Sequence, residues 1–138
     1  MKKMLFAFIA LFFATFSFAQ IEGKWKTIDD ETGKPKSIVE IFKKSDGKYY
    51  GRISQLLIKP ENNNCVKCKD DRKNKPLVGL EIIRGLKKDG NEFTGGTITN
   101  PKDGKTYNIA VVRNGNTLAV KAIVLGIAVK TQTWHLVK

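Results

Sequence analysis

Gly23-Lys24-Trp25-Lys26-Thr27-Ile28-Asp29-Asp30 near the start and Thr131-Gln132-Thr133-Trp134 near the end decide how this chain is read. Each is short, bears a tryptophan and interleaves it with polar residues, as a strand buried on one face does. Between them the chain is cut into short pieces by turn signals. A sheet built this way closes on itself, so that its first and last strands meet and no edge is left exposed.

Working inward, the turn signals are regular. Asp46-Gly47, Asp89-Gly90, Asp103-Gly104 and Asn114-Gly115 each separate two strand-like runs, and such pairs favour tight hairpins. Glu31 to Pro35 marks the turn after the first strand. Ile38 to Phe42 and Tyr49 to Ile58 read as the next two strands, with Gly51 as a bend. Residues 59–76, with Pro60, Asn62 to Asn64, two cysteines and Pro76, break the pattern and form the longest connection. Leu77 to Leu86 reads as a strand with Val78, Leu80, Ile82, Arg84 and Leu86 on one face. Glu92 to Thr99 follows, kinked at Gly95-Gly96. Tyr107, Ile109 and Val111 alternate with Asn108 and Ala110, and Leu118, Val120, Ala122 and Val124 line one face of the next strand. Lys130 to Val137 closes the series. These are about eight strands joined mostly by tight turns, and no run has the spacing and caps of a long helix. The expectation is all-β: a single antiparallel up-and-down barrel of about eight strands, with a two-sheet β-sandwich as the alternative.

The first 19 residues read as a secretory signal peptide. Lys2 and Lys3 precede an apolar run from Met4 to Phe18, shorter than the roughly 18 residues of a spanning helix, and Ser17-Phe18-Ala19 suits cleavage before Gln20. Residues 20–138 then form one domain, exported to the periplasm or beyond, with no transmembrane segment after cleavage and expected to be a monomer. Loss of Lys2 and Lys3 takes the formal charge from +12 to +10. Outside the inner membrane the polyanions are envelope lipids and glycans, so no nucleic acid is expected as partner; the charge either serves as a solvated basic surface or meets an anionic envelope surface. Cys65 and Cys68 in an exported chain predict a local disulfide.

Four blocks in this order carry a resemblance: Gly23 to Lys34; Cys65-Val66-Lys67-Cys68 with Asp71 to Leu80; Gly104-Lys105-Thr106-Tyr107; and Thr131-Gln132-Thr133-Trp134. Together they resemble the bacterial secreted family known as domain of unknown function number 2147, and Gly23-x-Trp25 resembles the opening of lipocalins and other calycin barrels. The resemblance implies an exported lipocalin-like barrel with no assigned activity. This chain has Asn100-Pro101 where the family pattern has Asp-Pro, and Lys121-Ala122 where the pattern has Arg-Gly.

Candidate chemistry is sparse. A zinc site needs further ligands than Cys65, Cys68 and the single His135, so no metal and no cofactor are expected. His135 alternates with Trp134 and Leu136 and faces solvent if they face inward. Asp29, Asp30 and Glu31 form an acidic cluster, but neighbouring strand residues point to opposite faces and make no carboxylate pair. No catalytic residue is named; an envelope hydrolase or isomerase would rest on Asp29 or Asp30 with a residue of the 59–76 loop. The loop carries Lys67, Lys69, Arg72, Lys73 and Lys75, and Arg72 suits an anionic group best, with pairing to Asp70 and Asp71 as the alternative. Trp25, Tyr107 and Trp134 are the aromatics expected inside, with Val111 and Val120. The candidate ligand-binding set is therefore Trp25, Asp29, Arg72, Lys75, Tyr107, Gln132 and Trp134. The leading reading is a binder of a small apolar, amphipathic or anionic ligand, or of an envelope component. A structural, stress-related interaction protein with a filled core is the remaining alternative.

Overall fold

The computed structural model describes residues 20–138, so the proposed signal peptide and its cleavage site lie outside the described residues. Eight strands follow one another: β1 (Gly23–Ile28), β2 (Pro35–Lys43), β3 (Tyr49–Leu56), β4 (Glu81–Asp89), β5 (Glu92–Asn100), β6 (Lys105–Asn114), β7 (Thr117–Val124) and β8 (Ile127–Leu136). Each pairs antiparallel with the next, and β8 returns to β1, giving a closed up-and-down barrel rather than a sandwich. Among the described residues there is no helix, and so none long and apolar enough to cross a membrane.

Up-and-down order sorts the connections to two ends. One end carries the β1–β2 turn, the long loop between β3 and β4, the β5–β6 turn and the β7–β8 turn; we call it the loop end. The other carries the remaining turns and both ends of the described chain. There the barrel is plugged. Trp25 and Ile21 are fully buried, and Trp25 Nε1 donates to the Ile21 carbonyl at 2.8 Å. The Arg113 guanidinium lies 5.3 Å from the Trp25 ring centre and donates through Nη1 to the Gln20 carbonyl at 2.7 Å. Trp134, Phe93, Ile41, Ile83, Leu86, Ile109 and Leu118 fill the interior beside it. Inward residues recur every second position, so opposed pairs such as Trp25 with Val39, Val39 with Ile53 and Val111 with Val120 stack round the wall.

Two glycines are required by close approach. A Cβ on Gly96 would lie 2.7 Å from the Arg84 carbonyl oxygen, and one on Gly104 would lie 1.9 Å from that of Lys67. Gly96 thus lets β5 press on β4, and Gly104 lets the long loop rest on the β5–β6 turn.

Three details differ from the sequence reading. The fourth strand begins at Glu81, not Leu77. Residues 77–80 form a turn instead: Leu80 N–H donates to the Leu77 carbonyl at 3.1 Å, and Gly79 N–H to Ile53 at 2.7 Å. The single face drawn through Val78 to Leu86 does not exist. Val78 is exposed, Ile82 and Ile83 are both buried, and Gly85 takes a positive φ of 77° next to an irregular register with β3. Strand β4 is buried on both faces only at Ile82 and Ile83, near the end where the long loop enters it. Val124, expected on an inner face, stands exposed at the β7–β8 tip.

The β1–β8 seam is narrow. Only Trp25 with Leu136 and Lys26 with His135 pair across it, and Val137 N–H adds a bond to the Lys24 carbonyl at 3.0 Å.

Candidate functional site

The long loop is ordered by charge and sulfur. Cys65 and Cys68 form a disulfide with Cα atoms 5.5 Å apart, and both sulfurs' residues are buried in the core cluster. Such a bond persists in oxidising compartments, which agrees with export. Arg72, only 5% exposed, donates through Nε and Nη2 to the Asp70 carboxylate and through Nη1 to the Glu81 carbonyl at 3.0 Å. Hydrogen bonds from the Arg72 side chain hold the Asp70 carboxyl well below the usual carboxylate range. Arg84 on the outer face of β4 grips Asp71 with two bonds of 2.8 and 2.9 Å and Glu81 with a third of 2.8 Å. The bond from Arg84 lowers Asp71 in turn, and Arg84 is raised by its bonds to Asp71 and Glu81. A planar guanidinium with a carboxylate on its edge makes the strongest class of surface hydrogen bond, so these pairs pin the loop to the barrel.

Where the pinned loop meets β5 and β6 it leaves a cleft of about 380 Å³ lined by Lys69, Asp70, Arg72, Thr99, Gly104, Lys105, Thr106 and Tyr107. The volume lies within the roughly 300–1,000 Å³ of small-molecule sites. Thr99 and Thr106 face each other across the hairpin, and their hydroxyls are 2.7 Å apart. Lys69 and Lys105, both exposed, also border the cleft, and its one acid, Asp70, is occupied by Arg72. A second recess, about 280 Å³, runs along the other side of the loop and is bordered by Arg72, Lys75 and Arg84.

The candidate residues therefore do not converge on one site. Arg72 and Tyr107 both border the first cleft, and Tyr107 is half-buried on the same side of β6 as Ile109 and Val111. Lys75 borders the second recess. Trp25 belongs to the plug. Trp134 is buried, and its Nε1 donates to Gln132 Oε1 at 3.0 Å. Gln132 Nε2 in turn donates to Asp30 Oδ2 at 2.8 Å, and the Lys130 ammonium pairs with the same oxygen. Burial alone would raise Asp30, but the bonds from Lys130 and Gln132 outweigh it and hold the carboxyl below its ordinary value. Asp29 does something else: its Oδ2 accepts from the Thr32 hydroxyl at 2.8 Å and the Thr32 N–H at 3.1 Å, which shapes the β1–β2 turn. His135 is exposed beside buried Trp134, as the alternation predicts. Sequence reading passed over Thr99, Thr106, Lys69 and Lys105 as a group. The Asp103-Gly104 turn held the signal, because the hairpin it forms sets Thr99 opposite Thr106. Asn100, at the first departure from the family pattern, caps this same turn by accepting the Lys102 N–H at 3.0 Å.

Fold and plug together define a small antiparallel barrel of the lipocalin-like class. The chain belongs to the family described as "Uncharacterized protein conserved in bacteria (DUF2147)", whose model matches residues 23–136. Among solved structures it is similar to one described as "Protein HP1028 from the human pathogen Helicobacter pylori belongs to the lipocalin family". That likeness has a TM-score of 0.72 at 24% identity, over 87% of this chain and 84% of the other, and establishes the shared fold. No curated protein matches the chain at a meaningful level.

Proposed function

We propose that this protein is an exported binding protein for a small molecule with an anionic group, taken up in the cleft between the long loop and the β5–β6 hairpin. The observation that carries the proposal is the convergence there of Lys69, Lys105, the Thr99–Thr106 hydroxyl pair and Tyr107 around about 380 Å³ of space. Ammonium groups supply attraction for the anion, hydroxyls fix its orientation, and the half-buried tyrosine offers an apolar edge to the remainder. The barrel's interior supports this placement by default, because large side chains with almost no exposure occupy it. An acid–base role for Asp29 or Asp30 gains no support: one shapes a turn, and the other is held ionised by Lys130 and Gln132.

The test is titration with a panel of small carboxylates and phosphate esters, followed by backbone amide shifts of Thr99, Lys105, Thr106 and Tyr107. A ligand that moves these amides saturably, and loses at least tenfold in affinity in Lys69→Gln/Lys105→Gln, supports the reading. Native mass spectrometry of material from its own compartment then gives the mass of the bound species. A bare chain with no amide response across the panel rejects the reading in favour of a filled barrel acting without a small ligand.

A further inference from the structure

The β7–β8 hairpin ends in Val124-Leu125-Gly126-Ile127-Ala128-Val129. Val124 is 42%, Leu125 96%, Ile127 67% and Val129 58% exposed. All residues from Val124 to Thr131 lie on the surface. Four large apolar side chains clustered on one loop are a patch that a soluble surface avoids unless something covers it. The backbone points the same way. Val124 pairs with Ile127, so Leu125 and Gly126 form the two-residue turn, with φ of 53° and 78°. A type I′ turn has both φ positive, and Asn-Gly is its preferred sequence. Here a leucine occupies the position, in a conformation that disfavours it and with no neighbour to pack on. Local propensity and solvation both argue against Leu125, which singles out the tip as a place where function overrides stability.

Charge indicates what covers it. From Gly104 to Lys138 the sequence holds Lys105, Arg113, Lys121, Lys130 and Lys138 and no aspartate or glutamate. The ribbon β6–β7–β8 is thus purely cationic along its own length. Lys130 pairs opposite Ala122, and Lys121 opposite Thr131, on consecutive rungs behind the tip. At about 3.4 Å per residue these rungs stand roughly 7 and 10 Å behind the Val124–Ile127 rung. An interfacial segment buries its apolar part about 5–10 Å below the headgroups. Immersion of the tip to that depth brings Lys121 to the phosphate level, where a long cationic side chain settles, while Lys130 stays paired with Asp30. Among the acids at this end, Asp30 pairs with Lys130, Glu31 pairs with Lys102 at 3.2 Å, and Asp29 accepts from Thr32. Asp103 accepts the Lys105 N–H at 2.9 Å. A second copy of this chain is a poorer occupant, because it would bring one acid-free ribbon against another. We propose that the β7–β8 tip docks on an anionic lipid surface, its apolar residues inserted and Lys121 at the headgroups.

The experiment is co-sedimentation with vesicles of phosphatidylglycerol mixed into phosphatidylcholine, against phosphatidylcholine alone. Wild-type protein is expected to sediment with the anionic vesicles, less so with rising salt, and little with the neutral ones. The double variant Leu125→Asn/Ile127→Ser should lose at least tenfold in partitioning, and Lys121→Gln several-fold. Thermal melts show that both remain folded, and the cleft titration described above should be unchanged, so failure here is separable from failure there. Equal partitioning of wild type and double variant overturns the proposal, as does absence of sedimentation with any vesicle. A concentration-dependent dimer that the double variant abolishes, without vesicle binding, overturns it in favour of a second copy.

Discussion

Leu125→Asn should make the protein more stable although it touches nothing. The residue sits at φ 53° and is 96% exposed. Holding an L-residue in the left-handed region costs roughly 1–2 kcal/mol, from the approach of Cβ to the following carbonyl. Asparagine relieves most of that through local hydrogen bonding. No packing is lost, since there is none to lose. A gain of about 1 kcal/mol is expected, or a rise in Tm of roughly 3–6 °C for a domain of this size. Urea unfolding is the assay, with the midpoint moved and the slope unchanged. Two companions isolate the cause. Leu125→Ala keeps the Cβ and should gain close to nothing. Leu125→Gly removes the strain but adds roughly 0.5–1 kcal/mol of freedom to the unfolded chain, and should fall between. Alanine matching asparagine would refute the reasoning, since the benefit would then come from shedding apolar surface rather than from the backbone.

Gly96→Ala should destabilise by roughly 1–3 kcal/mol, because its Cβ meets backbone atoms of Arg84 and Leu86 that shift only if β4 and β5 part; an unchanged denaturant midpoint would contradict that packing. Asp70, Asp71 and Asp46 all have carboxyls lowered from 3.8, chiefly by side-chain bonds from Arg72, Arg84 and Tyr50 respectively. Lowered folded values mean that their contribution is complete above 3.8 and is lost as pH falls through the folded values below it. The melting temperature should therefore hold from neutral pH to about 5 and decline below about 4; a flat profile down to pH 2 would remove the carboxylate pairs as contributors. Reduction of Cys65–Cys68 closes so small a ring that the loss should stay under the roughly 3 kcal/mol of a 15-residue loop. Faster proteolysis within residues 59–76 with the barrel still cooperative is the expected result, and collapse of the whole fold would show the bond to be global.

The barrel was legible because its devices are local. Asp-Gly and Asn-Gly pairs announce hairpins, and period-two alternation in β6 and β7 announces which side is wet. Closure followed from tryptophan strands at both ends. The start of β4 was not legible, because Leu77 and Leu80 are as apolar as strand residues. They are buried by a turn that depends on contacts with Ile53 and Asn63, far away in sequence. The fates of the acids were hidden for the same reason: nothing local distinguishes Asp29, which shapes its own turn, from Asp30, which bonds to Gln132 on the last strand. For Arg72 the sequence offered a ligand or the neighbouring acids, and the structure gives it to Asp70, two residues away. The positive φ at Leu125 was the least accessible feature, since a leucine in that position contradicts the turn chemistry from which such predictions are made.

The two-rung seam bears on how the molecule assembles and breathes. Every other strand pairing joins neighbours in sequence, all but β3–β4 through a short turn. Joining β1 to β8 brings together opposite ends of the chain, and the entropy of that closure is rewarded by two paired positions and one flanking hydrogen bond. The clasp should thus be the last part to form during folding and the first to part in the native state, with the plug around Trp25 resisting it. Amide exchange at Lys26 and His135 should run ahead of the hairpin interiors, so that the protein opens along one line, like a cuff, while its ribbon of hairpins stays intact.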